Sequence, residues 1–314
     1  MSETPDSPPL ASAPLHDVAV IGAGPAGLSA AIWLGRYLHS VALIDSGDPR
    51  NWDTRGVNGF LGQPSVLPAE LRGIGRDECR KYDVRLLDGC VDHATRHSDD
   101  LFELRMNDGR EVRARRLLLA FGIRDVWPEI PGLERIFGDR AHVCPDCDGY
   151  ETRGKKTVVI GTGRQAVGMA LNLTTWTGDI TICTNGQASG FDPEHDAKIA
   201  ALGIETITEP IEGIKFREGD LRSLEFTGRE ALGCEKIFFK IAQYPSDDVG
   251  VQLGCERDDE ERVVIDEVGH TSVRNVWAAG DLTPGPQLAI SAAAQGAVAA
   301  LAIHKSLVPD ERKL

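Results

Sequence analysis

The sequence lacks any apolar run that approaches the ~20 residues needed to span a membrane, so we expect no transmembrane segment. The basic-then-apolar order of a signal peptide is also missing from Met1 to Leu15, a stretch rich in proline and serine. We therefore predict a disordered arm over residues 1–15.

Basic residues are scarce relative to acidic ones: 34 Lys and Arg stand against 48 Asp and Glu, a formal net charge of −14. A negative surface repels phosphates, which argues against nucleic acid or an anionic membrane as the main partner. With 314 residues, of which 41% are hydrophobic and 26% charged, the chain has the composition of a globular protein of about two domains.

The seven cysteines include a single Cys-x-x-Cys pair, in the segment Cys144-Pro145-Asp146-Cys147-Asp148. A structural zinc site needs four ligands, and the missing second pair argues against one. The polar setting favours a redox dithiol, for which Asp148 offers a carboxyl for proton transfer and His142 is the competing proton carrier. The other five cysteines lie singly, which fits a reducing cytosol, and we expect a cytoplasmic protein.

The N-terminal part of the chain carries the pattern of a dinucleotide-binding fold. The apolar run Asp17 to Ile21 predicts a buried strand, and Gly22-Ala23-Gly24-Pro25-Ala26-Gly27 leads from it into a predicted helix over 28–38. Glycines in such a loop permit a tight turn and close approach of the backbone to a pyrophosphate, which the helix N-terminus then faces. Asp45 ends a second predicted strand 21 residues after Gly24, where a carboxylate can bind a ribose diol.

Two further segments extend this predicted site. Arg50 and Asn51 begin a long loop and are expected to close over a phosphate or an adenine. Near the C-terminus a predicted strand ends in Gly280-Asp281, where the carboxylate can bind a ribityl hydroxyl. A helix predicted from Gln287 to Leu307 would point its positive end at a flavin and stabilise the charge of the reduced form.

The middle of the chain repeats the first layout, with a predicted strand from Lys156 to Ile160 and a second loop, Gly161-Thr162-Gly163-Arg164-Gln165-Ala166. The repeat predicts an α/β protein with two Rossmann-like dinucleotide-binding domains, the second inserted into the first. The position 21 residues after Gly163 is Thr184, where neither an acid for an NADH ribose nor an arginine for the NADPH 2′-phosphate stands. The sequence therefore predicts poor use of NADPH.

These motifs, in this order, resemble the low-molecular-weight thioredoxin reductase family of flavoproteins over nearly the whole chain from His16. The resemblance rests on Gly22-x-Gly24-Pro25-Ala26-Gly27, on Cys144-x-x-Cys147-Asp148-Gly149, and on Trp277-Ala278-Ala279-Gly280-Asp281 with Gln287. It implies FAD as the cofactor, a homodimer, and a rotation that presents the dithiol alternately to flavin and substrate. It also implies an FAD-binding domain of residues 16–123 and 245–314 around an inserted, NAD(P)-like domain of residues 124–244 that carries the dithiol.

The resemblance also assigns roles to single residues. Cys147 matches the cysteine nearer the flavin, Cys144 its disulfide partner, and Asp148 the acid–base carboxyl. The implied cofactor contacts lie in the first glycine loop, at strand ends and beside the C-terminal motif: Gly22, Gly24, Pro25, Ala26, Gly27, Asp45, Arg50, Asn51, Val91, Ala120, Gly122, Gly280, Asp281, Gln287 and Leu288.

The departures from the family leave three functions open. The NADPH-binding His-Arg-Arg stretch of the family is replaced by Thr184-Asn185-Gly186. Two side branches are similar in this respect: reductase-like proteins that do not use NADPH, including ferredoxin-linked forms, and dithiol oxidases that pass electrons to O₂. The sequence is thus compatible with a reductase of a thioredoxin-like protein or small disulfide, with an O₂-dependent small-molecule dithiol oxidase, and with a non-enzymatic flavin redox sensor.

Overall fold

The structure is a computed structural model that describes residues 13–313, and the chain divides into two compact units. The first unit comprises the described residues up to Arg50, Ala69–Arg124 and those from Gln243 onward, and the second comprises Asn51–Pro68 and Asp125–Ala242. The loop of residues 51–68, which was expected in the first domain, belongs to the second unit. In this loop the backbone N–H of Arg55 donates to the Gly138 carbonyl oxygen over 3.3 Å, and the Arg55 side chain forms a 2.8 Å ion pair with Asp139.

The predicted N-terminal arm is only partly described. Residues 1–12 lie outside the described residues, and the first strand begins at Leu15, inside the range predicted as disordered. His16 continues the strand and is buried. The Nδ1 atom of its ring lies 2.9 Å from the Ser40 hydroxyl oxygen, which gives this buried polar group a hydrogen-bond partner.

The first unit is built on a seven-stranded sheet with the order β3-β2-β1-β6-β5-β4, to which β17 adds beside β6. Its strands are β1 (Leu15–Ile21), β2 (Val41–Asp45), β3 (Arg85–Asp88), β4 (Val91–Ser98), β5 (Leu101–Met106), β6 (Glu111–Leu119) and β17 (Val276–Ala278). The pairs of β1 with β2 and β6, of β2 with β3 and of β6 with β17 are parallel, whereas β4, β5 and β6 pair antiparallel. Parallel strands covered on both faces are apolar throughout, as the fully buried β2 is.

Four helices belong to the first unit: α1 (Pro25–Arg36), α2 (Pro68–Lys81), α6 (Val249–Gln252) and α7 (Ala289–Leu307). The backbones of helices α1 and α7 are in close contact at Gly296. A Cβ added to this glycine would lie only 2.0 Å from the Ala26 carbonyl oxygen, so no larger residue fits there. This close approach places the N-terminal half of α7 beside the glycine loop that begins α1.

The second unit contains a five-stranded parallel sheet with the order β11-β10-β9-β15-β8. Its strands are β8 (Ala141–His142), β9 (Thr157–Ile160), β10 (Ile180–Cys183), β11 (Glu205–Ile207) and β15 (Lys236–Phe239). An antiparallel sheet is formed by β12 (Ile211–Arg217), β13 (Asp220–Phe226) and β14 (Arg229–Gly233), and the helices are α3 (Pro145–Asp148), α4 (Gly163–Leu173) and α5 (Pro193–Ala201). The predicted α/β architecture with two Rossmann-like sheets is confirmed.

The chain passes between the units in two short strands, β7 (Ile123–Val126) and β16 (Ala242–Pro245), which pair with each other. Strand β6 pairs antiparallel with β5 at its start and parallel with β1 along its length. Helix α7 begins at Ala289, two residues later than predicted. None of the helices in residues 13–313 is long and apolar enough to cross a membrane.

Candidate active site

Cys144 and Cys147 are joined in a disulfide whose Cα atoms lie 5.3 Å apart. Cys144 is the N-cap of the one-turn helix α3, with Pro145 in its first turn, so the two sulfurs meet across a single helical turn. The backbone N–H of Cys147 donates to the Cys144 sulfur over 3.2 Å. A thiolate formed at Cys144 on reduction of the disulfide retains a hydrogen-bond donor in this geometry.

The residue after the dithiol and Asp148 is a glycine, Gly149, because there is no room for a side chain at this position. A Cβ at this position would lie 2.5 Å from the Trp176 ring and from the Pro145 carbonyl oxygen. The indole therefore packs against the bare backbone and supports the turn that carries both cysteines. Asn58 adds a hydrogen bond from its side-chain amide to the Cys147 carbonyl oxygen over 3.2 Å.

The two candidate proton carriers lie together. The His142 Nδ1 atom is 3.4 Å from the Asp148 Oδ1 atom; the histidine is buried, whereas the aspartate keeps 18% of its side chain exposed. On its other side, the His142 Nε2 atom lies 2.9 Å from the Lys236 ammonium and 3.1 Å from the Asp139 carbonyl oxygen. Asp148 is thus the member of this group that reaches solvent, next in sequence to Cys147.

The remaining five cysteines differ from this pair in that they carry free thiols. Four of them are buried, and burial raises the pKa of Cys79 to about 11 and those of Cys183 and Cys234 to about 12. Such thiols are protonated near neutral pH and react poorly, because the thiolate is the nucleophile. Cys90 is exposed and provides a matched control for thiol chemistry.

The first glycine loop, Gly22–Gly27, packs tightly at one glycine and leaves open space at another. Gly22 has a φ of +104° and lies so close to Ala120 that an added Cβ would come within 2.3 Å of its carbonyl oxygen. At Gly24, in contrast, a Cβ would meet no described atom within 4 Å, so there is room beside the start of α1. No described side chain caps this helix N-terminus. Open space beside uncapped backbone N–H groups fits the pyrophosphate of a dinucleotide.

Asp45 lies at the end of β2, as predicted, but its carboxylate already has partners. It accepts hydrogen bonds from Arg72 at 2.5 Å, from Arg76 at 3.1 Å and from the backbone N–H of Ala23 at 3.2 Å. Arg72 also donates to the Ala23 carbonyl oxygen over 3.4 Å. Asp45 thus ties the glycine loop to two arginines of α2, which sequence reasoning missed because a surface helix with spaced arginines has no distinguishing pattern.

The structure brings together three of the predicted residues from distant parts of the first unit. An Arg50 guanidinium nitrogen lies 3.1 Å from the Asp281 carboxylate and 2.8 Å from the Gln287 side-chain oxygen. Gln243 exchanges hydrogen bonds with the Gln287 amide. Gly280, at a φ of +84°, donates its backbone N–H to the Gln295 side-chain oxygen over 2.7 Å. Asp281 and Gln287 therefore form one polar group at the end of β17.

The other predicted contacts separate into two sets. Pro25 and Ala26 begin α1, the buried Ala120 faces Gly22, and Leu288 is the N-cap of α7. The other three lie elsewhere. Val91 is buried in the core beside Met106, and the Gly122 carbonyl oxygen accepts a hydrogen bond from the Ser246 hydroxyl. Asn51 belongs to the second unit, where its carbonyl oxygen accepts a hydrogen bond from the Thr54 hydroxyl.

The second glycine loop is covered by the protein itself. The backbone N–H of Gly163, the first residue of α4, donates to the Ser189 carbonyl oxygen over 2.7 Å. A Cβ added to Gly190 would lie 3.6 Å from the Gly163 nitrogen, so the segment Ser189-Gly190 rests on the loop. A carbonyl oxygen thus occupies one of the backbone donors at the start of α4.

Thr184 occupies the position of Asp45 in this second fold but serves only the local turn. It is buried, and its hydroxyl donates to the Gln187 carbonyl oxygen over 2.6 Å. The Asn185 side-chain oxygen accepts the N–H of Ile211 over 2.8 Å. Arg164, the remaining candidate for a pyrophosphate, is exposed.

Comparison with known proteins identifies the family. A profile described as pyridine nucleotide-disulphide oxidoreductase matches residues 16–296. The chain belongs to this family. A curated relative, thioredoxin reductase tcpT of Claviceps purpurea, is 31% identical over 84% of this chain and 86% of its own length.

Solved structures agree with this assignment. The crystal structure of HlmI superposes with a TM-score of 0.89 at 33% identity, covering 93% of this chain and 92% of the other. A putative thioredoxin reductase, TrxB from Bacillus anthracis, superposes with a TM-score of 0.88 at 34% identity, covering 95% and 100%. The protein is a thioredoxin reductase-like, flavin-dependent disulfide oxidoreductase, which leaves the non-enzymatic sensor without support.

Proposed function

We propose that the enzyme passes electrons between FAD and a thiol or disulfide substrate through Cys144 and Cys147, and that its electron donor is not NADPH. The disulfide beside Asp148 is the observation that carries the exchange chemistry. The carbonyl of Ser189 on the Gly163 N–H supports the absence of NADPH chemistry. The substrate is a thioredoxin-like protein or a small disulfide, and ferredoxin is a candidate donor.

FAD, when bound, supplies two-electron oxidation and reduction of the cysteine pair. The residues that would hold it are those of the loop Gly22–Gly27, for the pyrophosphate, and Asp281 with Gln287, for the flavin-bearing half. Open space at Gly24 and the uncapped start of α1 support this fit. The purified protein is expected to be yellow, and a colourless chain that takes up no FAD on reconstitution would contradict the proposal.

The exchange itself needs only the chain's own sulfurs and one proton carrier. A cysteine thiolate attacks the substrate disulfide, and one substrate sulfur leaves as a thiolate and is protonated. The second cysteine thiolate then attacks the mixed disulfide, releases the other substrate sulfur and restores the Cys144–Cys147 bond. Two electrons pass to the substrate, and Asp148 moves the proton at the leaving sulfur. The same steps in reverse oxidise a dithiol.

A second candidate, the O₂-dependent oxidation of a small dithiol, is favoured by the covered second loop. An enzyme that takes its electrons from a dithiol needs no pyridine nucleotide, and such a loop then has no ligand to admit. The reductase and the oxidase share every residue described above and differ in the direction of electron flow.

One anaerobic experiment tests the proposal and decides the direction. NADPH, reduced ferredoxin and dithiothreitol are added in turn to the FAD-loaded protein, followed by O₂, while flavin absorbance is recorded. We expect slow, weak bleaching by NADPH and rapid bleaching by the dithiol. Rapid recovery with O₂ and continued O₂ consumption would identify the oxidase, whereas bleaching by ferredoxin and recovery only with a disulfide would identify the reductase. Rapid reduction by micromolar NADPH would contradict the assignment of the donor.

Cysteine variants test the site. Cys147→Ser and Cys144→Ser are each expected to retain FAD and lose dithiol–disulfide turnover, whereas Cys90→Ser, at an exposed single thiol, keeps it. Asp148→Asn is expected to slow the exchange by ~10²–10⁴-fold, the loss typical of a general acid–base group. Near-normal turnover in both cysteine variants would overturn the proposed function.

We also propose a homodimer in a reducing cytosol. Exposed apolar side chains on α7, among them Val298 and Leu301, support an association surface, and the five unpaired thiols support a reducing compartment. Sedimentation equilibrium of the FAD-loaded protein, which gives the mass of the assembly, tests the first point. Fractionation of the source cells tests the second.

A further inference from the structure

Lys236 is a buried lysine at the start of β15, an otherwise apolar strand between β9 and β8 in the second unit's sheet. Its side chain is 3% exposed, and burying a cation without compensating partners costs several kcal/mol. Its ammonium lies 2.6 Å from the Asp139 carbonyl oxygen and 2.9 Å from the His142 Nε2 atom. Its hydrogen-bond partners are thus a backbone carbonyl and an imidazole, neither of which neutralises its charge.

The imidazole connects this lysine to the redox segment. Strand β8, which ends at His142, pairs with β15 so that His142 lies opposite Phe238, and two residues later the chain reaches Cys144. The other ring nitrogen of His142 faces Asp148 at 3.4 Å. A continuous line of polar atoms therefore runs from the core to the carboxyl beside Cys147.

The donors and acceptors in this line determine the tautomer of the ring. A lysine ammonium is only a donor, so the His142 Nε2 atom accepts from it, and the proton of the neutral ring lies on Nδ1, facing the Asp148 carboxylate. When Lys236 is neutral, the Nε2–H form donates to the Asp139 carbonyl oxygen at 3.1 Å. The Nδ1 lone pair then faces the Asp148 Oδ1 atom at 3.4 Å, where only a protonated carboxyl can donate to it.

We propose that Lys236, through His142, is a positioning residue that supplies and withdraws the proton of Asp148 during exchange at Cys144–Cys147. The proton transfer is balanced: Lys236 gives a proton to Nε2, Nδ1 gives its proton to the Asp148 carboxylate, and the result is a neutral amine, the other tautomer and a carboxylic acid. The acid then protonates the leaving thiolate. This inference rests on the proposed exchange function.

The charges around Lys236 favour release of its proton. Burial lowers its pKa most, and the nearby cations of Arg140 and Lys155 lower it further. The carboxylates of Asp139 and Asp148 act in the opposite direction, and the balance leaves the pKa of Lys236 below its usual range. A buried lysine of this kind gives up a proton more readily than one in solvent.

The first test measures the tautomer of His142, which needs neither turnover nor a substrate. The FAD-loaded, oxidised protein is labelled with ¹⁵N-histidine, and the His142 ring is assigned by comparison with His142→Gln. We expect the Nδ1–H tautomer in the wild type and the Nε2–H tautomer in Lys236→Met. Lys156→Met, which removes an exposed cation just before the neighbouring strand β9, should leave the ring unchanged. An Nε2–H ring in the wild type, or an unchanged ring in Lys236→Met, would overturn the proposal.

The second test separates a relay from a fixed charge. The reduced protein is mixed with a small aromatic disulfide in a stopped-flow instrument between pH 6 and 9, which reports single-turnover exchange. Lys236→Met is expected to slow the exchange about tenfold and to flatten its pH profile, since general acid–base steps contribute ~10²–10⁴-fold in all. Lys236→Arg keeps the charge but does not release a proton, so we expect it to remain slow.

Full recovery of exchange in Lys236→Arg would reduce the role of Lys236 to its charge and overturn the relay. If an arginine does not fit the core and that variant fails to fold, the tautomer and the pH profile of Lys236→Met still decide the matter. Failure of the proposed function has a different signature, because turnover would then survive in both cysteine variants while the His142 tautomer still responded to Lys236→Met.

Discussion

The two glycine loops of this enzyme have the same strand–loop–helix arrangement but differ in what lies against them. In the first, Gly24 has open space around it, and the strand-end acid Asp45 is tied to Ala23 and two arginines. In the second, the Gly163 N–H donates a hydrogen bond to the Ser189 carbonyl oxygen of the same chain. The comparison shows that the same Rossmann layout leaves open space at one glycine loop and is covered by the chain's own backbone at the other.

The third glycine position gives the largest expected difference between the loops. A Cβ on Gly27 would lie 1.8 Å from the Gly22 carbonyl oxygen, whereas the second fold has the buried Ala166 in this place. We expect Gly27→Ala to lower the free energy of unfolding by about 3 kcal/mol and to prevent retention of FAD. Urea unfolding and the flavin content per chain measure both effects.

Ala166→Gly is the matched change in the second fold. It should lower the free energy of unfolding by about 1 kcal/mol, the usual effect of glycine within a helix, and leave the flavin content unchanged. Equal losses in the two variants would show that the loops do not differ in the way described.

The residues that end the second strand of each fold give the next difference. Asp45→Ala removes the carboxylate that Arg72 and Arg76 share, so that Arg72 loses its ion-pair partner while Arg76 retains Asp88, and we expect a loss of about 3 kcal/mol with weaker FAD binding. Thr184→Val removes one hydrogen bond, to the Gln187 carbonyl oxygen, and should cost about 1 kcal/mol with FAD unaffected. Denaturant unfolding and FAD titration of the apoprotein compare the two. A smaller loss of unfolding free energy in Asp45→Ala than in Thr184→Val would contradict this expected difference between the two strand ends.

Grafting basic residues onto the second fold should not restore NADPH binding. Asn185 and Gly186 have φ values of +51° and +78°, and the Asn185 side chain holds the Ile211 N–H. We expect Asn185→Arg with Gly186→Arg to cost about 1–3 kcal/mol through backbone strain and to bind NADPH no better, because Ser189 still covers the Gly163 N–H. Titration calorimetry with NADPH measures the result.

Gln187→Arg is the control for that graft, since its exposed position adds charge without a left-handed backbone. It should leave stability unchanged. Micromolar NADPH binding by the doubly substituted protein would show that charge, rather than the covering segment, decides entry.

The smallest expected effect is a loss of stability of the first unit at acid pH, caused by the buried His16. Burial lowers the pKa of His16 below its ordinary value of 6.5, with the Arg85 cation adding to the shift and Asp17 opposing it. Protonation therefore favours the unfolded chain, so this contribution is fully present above pH 6.5 and is lost as the pH falls towards the folded-state pKa. Unfolding midpoints measured between pH 7.5 and 5 should fall less steeply in His16→Asn than in the wild type. The same substitution at the exposed His93 should not alter the slope.

The sequence alone determined the elements whose signals are local. The runs that form β1, β2 and β9 are apolar because both faces of a parallel sheet are covered, and the glycines that follow them mark the turns. The cysteine pair and its acid are adjacent in sequence, so their association needed no fold. The repeat of strand, loop and helix was sufficient to predict two Rossmann-like units.

Tertiary structure alone decided contacts between residues far apart in the chain. Lys236 lies 94 residues from His142 and could have been noted only as a lone cation in an apolar strand. Arg72 reaches Asp45 across 27 residues, and the Ser189 carbonyl covers Gly163 because the backbone turns back after β10. Hydrogen-bond partners of this kind depend on distances and directions set by packing, and hydrophobic periodicity carries no record of them.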